Sequence, residues 1–262
     1  MNFDEILYGA TEGLVALGVI GLLLVASEIG FRCGGMTRHT VDDTAKSQLP
    51  VVQASLLGLI ALLLGFTMSM AVSRFEKRQD LVVQEANAIG TAHLRARLIP
   101  GDGEAIAGLL RDYLDARLRF DDGDAVHQQA ARVESEQLQE RLWSRAAGIA
   151  QQDPRAITSG LLLQALNETF DLASARMAAL ANQVPVTVIL LAATVGMIGM
   201  GAMSYGYGLG NHRHIFSVLS LALAIALVLM VIVDLDRPGR GFIRVSERSM
   251  LQLQTQLHAP VP

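Results

Sequence analysis

Four stretches of the chain are almost unbroken runs of apolar side chains: Gly13 to Phe31, Val51 to Ser73, Val184 to Ser204 and Ile215 to Val233. Each is about 20 residues long, the length at which a helix crosses about 30 Å of hydrocarbon. The second and fourth runs hold no charged residue at all, whereas a helix buried in a soluble core is shorter and shows a polar face. Glu28 interrupts the first run near its end. The segment ahead of that run carries Asp4, Glu5 and Glu12 and no Lys or Arg, so the run is expected to stay in the membrane rather than be cleaved as a signal peptide. The pattern predicts an all-α polytopic membrane protein with four transmembrane helices.

Between the second and third runs the continuous pattern gives way to a helical period. Phe75, Val82, Ala86 and Ile89 share one helix face, so the second span is expected to run on as a rod to about Pro100-Gly101. Glu104 to Phe120 repeats apolar residues at Ile106, Leu109, Leu110, Tyr113, Leu114 and Leu118, and Asp121-Asp122-Gly123-Asp124 breaks it. A further helix is predicted from Ala125 to Gln151, striped by Leu138, Leu142, Ala146 and Ile149. Asp153-Pro154 then supplies an N-cap and a first helical position for a fourth. In that helix Leu163, Leu166, Phe170, Ala173, Met177 and Leu180 alternate spacings of three and four, a coiled-coil seam that could engage the neighbouring rod or another subunit.

The predicted organisation is thus residues 1–73 for the first two spans with a short loop between them and 74–183 for the inserted helical domain. Residues 184–233 form the last two spans and 234–262 the tail. Four spans put both termini and the inserted domain on one side. Near the span ends that side offers Arg74, Lys77, Arg78, Arg176, Arg237, Arg240, Arg244 and Arg248, against Arg32, Arg38, Lys46 and Arg213 on the other. The bias predicts a cytoplasmic domain and cytoplasmic termini.

Composition agrees with a bilayer as the first partner: 51% of the 262 residues are apolar and 18% charged. A net charge of −4 leaves no footprint for nucleic acid. Cys33 is the lone cysteine and has no disulfide or metal partner. The sequence lacks the nucleophile-elbow, phosphate-loop, zinc-binding and dinucleotide motifs, so neither an enzyme nor a cofactor or metal site is expected. His212 and His214 read as exposed or headgroup-facing loop residues. The glycines from Gly196 to Gly210 read as close helix packing, with small-xxx-small spacing at Ala192/Gly196 and Ala202/Gly206.

The second span carries the most information. At 100° per residue Ser55, Gly58, Gly65, Ser69 and Ser73 fall within a sector of about 80°. Continued downwards, the same sector reaches Glu76, Asp80, Asn87 and Thr91. Small residues on one face let helices approach closely, with the acidic residues simply in water. The same face could instead surround an axis in a homo-oligomer and line a permeation path for ions, its acidic rings favouring cations.

Two further features carry charge at membrane depth. Asp234, Asp236, Arg237 and Arg240 end the fourth span as an interfacial ion network, or as a regulatory cation site if further oxygen ligands join them. Glu28 is an interface residue or a partly buried carboxylate facing other helices.

The stretches Gly65–Phe75, Glu85–Thr91 with Leu94-Arg95, and Gln164–Glu168 resemble the bacterial bestrophin-like membrane proteins. So do Asp234–Pro238 with Gly241 and Arg244–Ser246. The resemblance implies a bacterial inner-membrane protein with the layout of bestrophins, which are pentameric anion channels with four membrane helices. Their bulky apolar neck on the second helix would fall here at Leu62 and Phe66, beside Gly65 and Ser69. Anion selectivity does not carry over, because Glu76 and Asp80 point away from chloride. The expectation is a homo-oligomeric channel or channel-like protein. The alternative is a non-conducting scaffold or sensor that binds a cytoplasmic partner through its rods.

Overall fold

A computed structural model describes residues 12–122, 125–152, 157–237 and 242–259. They form eight helices and no strand: α1 (Glu12–Thr37), α2 (Asp43–Ala96), α3 (Gly103–Asp122), α4 (Ala125–Gln152), α5 (Ile157–Ala181), α6 (Val186–Gly210), α7 (Ile215–Asp236) and α8 (Arg248–His258). Four helical segments among these residues are long and apolar enough to span a membrane, held by α1, α2, α6 and α7. The chain forms two compact units, Met1–Arg74 with Gln183–Ile243, and Phe75–Asn182 with Arg244–Pro262.

In the first unit backbones meet directly. A Cβ on Gly30 would strike the carbonyl oxygen of Gly201, and one on Gly34 that of Tyr205, while Gly208 presses against the Phe31 carbonyl. Only hydrogen atoms fit there, the means by which membrane helices gain dispersion contact when lipid offers no hydrophobic contrast. The predicted close packing along α6 is present, but its partner glycines, Gly30 and Gly34, lie on α1. Ser27 and Ser204 share a buried hydrogen bond of 2.7 Å across the same seam. Gln53 of α2 donates to the Ala202 carbonyl at 3.0 Å and fills the space over Gly206.

Two loops are shorter than the sequence predicts. The first is cut to the few residues between Thr37 and Asp43, because α2 starts well ahead of Pro50 and runs through it. The Asp42 carboxylate accepts the Ala45 N–H at 2.7 Å, a cap that starts the helix, and Pro50 follows inside it at the cost of one hydrogen bond and a ring crowded against the Lys46 carbonyl. At the other loop, Asn211 adopts φ 55°, the left-handed conformation that an Asn tolerates, and closes α6.

The second unit has its own core. Val82 and Ile89 of α2, Leu110 and Leu114 of α3, Leu142 of α4 and Leu166 of α5 are all buried in it. The most buried line of α5 runs through Leu162, Ala165, Leu166, Thr169, Ala173 and Arg176. Phe170, predicted in a seam for neighbouring rods, sets its ring edge-on to Tyr113 at 6.4 Å, so this part of the seam is used inside the chain. Helix α8 also joins this core. Met250 is fully buried, Gln254 donates to Asp115 at 2.7 Å, and the Gln79 amide both donates to and accepts from the Ser246 backbone.

Candidate functional site

Helix α2 is one unbroken element of 54 residues, and its two sides differ sharply. In the first unit Ile60, Leu64, Thr67 and Ala71 are buried on one side. Ser55, Gly58, Gly65, Ser69 and Ser73 are all exposed on the other. Leu62 and Phe66 join that exposed face at 54% and 66% exposure, large apolar side chains that the chain itself leaves uncovered. In the second unit Glu76, Asp80 and Asn87 are likewise exposed. Nothing in the chain lies within 4 Å of a Cβ placed on Gly58 or Gly65. Those two glycines therefore serve no packing within the subunit, unlike Gly199, where a Cβ would press on Ile60.

Within the second unit, α2 and α5 flank an open groove of about 850 Å³. Gln84, Asn87 and Thr91 line one wall, and Gln164, Asn167, Glu168 and Asp171 the other. Of the predicted site residues only Asn87 lines this groove; the others on α2 are strung along the helix, and the predicted ion network belongs to the end of α7. The groove presents amides and carboxylates, groups that accept hydrated cations or backbone donors but offer no activated nucleophile. Among the described residues no group of three or more His, Cys, Asp or Glu side chains is placed to hold a metal.

The carboxylates ending α7 act on backbone. Asp234 accepts the N–H groups of Phe242 and Ile243 at 2.9 and 3.0 Å, and Asp236 accepts that of Val184 at 2.7 Å. Both are buried, as is Arg237, and the pattern ties the end of α7 to the start of α6 and to the segment that follows α7. Arg240 lies outside the described residues.

A charged cluster that the sequence analysis did not single out sits inside the second unit. Glu85 of α2 is fully buried and takes two hydrogen bonds from Arg117 of α3, at 2.6 and 3.2 Å, and one from Arg176 of α5 at 2.9 Å. Both guanidinium groups are themselves buried. Burial also pushes the neighbouring Tyr113 hydroxyl up to about 12, so it stays a neutral donor and acceptor. Burial, reinforced by the positive charges of Arg111 and Arg97, holds His93 below its usual value, and neither ring nitrogen has a hydrogen-bond partner.

A family model described as the bestrophin-like domain matches residues 20–250. The chain belongs to the bestrophin-like family. Solved structures share the fold of this bestrophin-like chain. A bacterial bestrophin homologue from Klebsiella pneumoniae, carrying a single leucine-to-threonine substitution, aligns at TM-score 0.65 and 17% identity, covering 92% of this chain and 98% of that one. A tyrosine-to-alanine variant of the Klebsiella pneumoniae homologue aligns at 0.63 and 14%, covering 92% and 97%. A structure described only as a membrane protein, with one proline replaced by alanine, aligns at 0.66 and 15%, covering 92% and 97%. No curated protein matches the sequence. The family model covers residues 20–250, and the bestrophin-like chain is an all-α membrane protein.

Proposed function

We propose that copies of this bestrophin-like chain assemble around an axis, in a ring of five as the family layout suggests, and form an ion channel in the bacterial inner membrane with α2 innermost. The carrying observation is the exposed face of α2, where Gly58 and Gly65, which serve no packing within the subunit, lie among Ser55, Ser69 and Ser73, and Glu76 and Asp80 are exposed on the same helix. Leu62 and Phe66 form the narrow apolar passage, and Glu76 and Asp80 form rings that concentrate cations. Glu168 and Asp171 add carboxylates beside Asn87. The inserted domain faces the cytoplasm, in keeping with the excess of Lys and Arg at that end of the spans.

Purified protein in a planar bilayer is expected to conduct, and replacing Glu76 and Asp80 together by Ala is expected to move the reversal potential in asymmetric salt towards lower cation preference. With Cys33→Ser as background, Ser69→Cys is expected to make the current sensitive to a thiol reagent. A bilayer that stays silent across voltage, pH and divalent ions, or particles with α2 facing lipid, would overturn the reading.

A further inference from the structure

The first unit holds a cavity of about 390 Å³ between the ends of α1 and α6 and the start of α7, away from the exposed face of α2. Its chemistry divides along its length. Leu24, Val218 and Leu219 line one part, and Glu28, Arg213 and His214 the other. At the back, Ser27 and Ser204 are spent on each other, so the depth of the cavity asks for no polar group. Leu219 is 49% exposed and Ile215 62%, so the apolar part opens to the surface that a span presents to lipid.

The polar part holds one lining cation, Arg213, and a second, Arg32, stands outside the lining and reaches it through Glu28. The Glu28 carboxylate takes two hydrogen bonds from Arg213, at 2.9 and 3.2 Å, and one from Arg32 at 2.7 Å. One negative charge thus sits between two guanidinium groups. Each guanidinium has five N–H donors, and these bonds engage two on Arg213 and one on Arg32, leaving donors on both for a second anion. Arg213 is also held in place by stacking 4.3 Å over the Phe31 ring.

We infer that this cavity seats one anionic phospholipid, its phosphate on the free donors of Arg213 and Arg32 and the start of an acyl chain over Leu24, Val218 and Leu219. A basic mouth over an apolar slot between membrane helices matches an amphiphile of that charge, and a soluble anion would leave the slot unfilled. The inference stands whether or not the protein conducts.

Its test uses the full chain in vesicles, with Leu219→Trp as a reporter and Trp143→Phe removing the single native tryptophan. Brominated phosphatidylglycerol is expected to quench the reporter at about fivefold lower mole fraction than brominated phosphatidylcholine. Millimolar inorganic phosphate is expected to leave that ratio unchanged. Arg213→Gln should bring the ratio to about one, and Glu28→Gln should raise it, so opposite shifts separate charge recognition from damage to the fold. A ratio near one in the parent, erasure of the ratio by inorganic phosphate, or a fall with Glu28→Gln would each overturn the inference.

Discussion

Replacing Glu85 by Gln keeps the shape of the side chain and removes the charge on which two buried guanidinium groups converge. Three hydrogen bonds end on that carboxylate, at 2.6, 3.2 and 2.9 Å, from residues 3% and 4% exposed. An amide oxygen can keep part of this geometry but cannot neutralise charge out of reach of water. Breaking a buried pair in this way costs about 3–5 kcal/mol. At roughly 2–4 °C per kcal/mol this is a fall of about 6–20 °C in the melting temperature. Trp143, in α4 of the same unit and 41% exposed, reports the transition by fluorescence in detergent. The control is Glu136→Gln, which breaks an exposed pair with Arg132 and should cost at most about 1 kcal/mol. Adding Arg176→Gln to Glu85→Gln removes one of the stranded cations, so the double variant should melt higher than the summed single effects require. If Glu85→Gln melted within the range of the Glu136→Gln control, the cluster would hold no significant share of this unit's stability and the reasoning would fail.

Other outcomes follow from the same contacts. Gly30→Ala drives a Cβ into the Gly201 carbonyl and should cost at or beyond the upper end of the about 1–3 kcal/mol of overpacking, whereas Gly58→Ala meets open space and should leave subunit stability unchanged or raise it by up to about 1 kcal/mol. Size-exclusion after stepwise heating distinguishes the two, and equal melting would refute the backbone contact. His93 titrates in the folded state below its unfolded value, so the folded protein binds fewer protons between the two values. Its burial therefore carries no penalty above the unfolded pKa, and stability is lost as pH falls from there towards the folded pKa. Melting between about pH 7 and 5 should fall more steeply in the parent than in His93→Leu, and parallel slopes would refute it.

The spans were legible because length and apolarity alone decide them, and the sector on α2 because a helix converts spacing into direction. The buried charges were hidden by the habit of reading charge as solvent-facing. Yet Glu85 falls between Ile89 and Ala92 around α2, Arg117 between Tyr113 and Leu118 around α3, and Arg176 between Ala165 and Ala173 around α5. One carboxylate and two guanidinium groups inside three apolar stripes of one domain is a signal that could have found the cluster. The role of Gly30 and Gly34 was less accessible, because a small residue gives no hint of which backbone approaches it. The early start of α2 is marked by Asp42, whose capping bond lies ahead of Pro50, and a proline inside a helix reads from sequence as a boundary. Helix α8 escaped notice because its three apolar anchors, Met250, Leu253 and Leu257, are too few to establish a period.

Within the second unit α2 runs without a joint from Phe75 to Ala96, so Val82, Glu85 and Ile89 keep a fixed rotational phase. An insertion of a single residue between Glu85 and Ile89 would turn one part of this segment by about 100° against the other. Glu85 could then not meet Arg117 and Arg176 while Ile89 kept its place in the core. Only changes of about seven or eleven residues bring the faces back into register. The length of this segment is therefore as constrained as any of its side chains, and drift in the chain's size is directed to the loops and the tail instead.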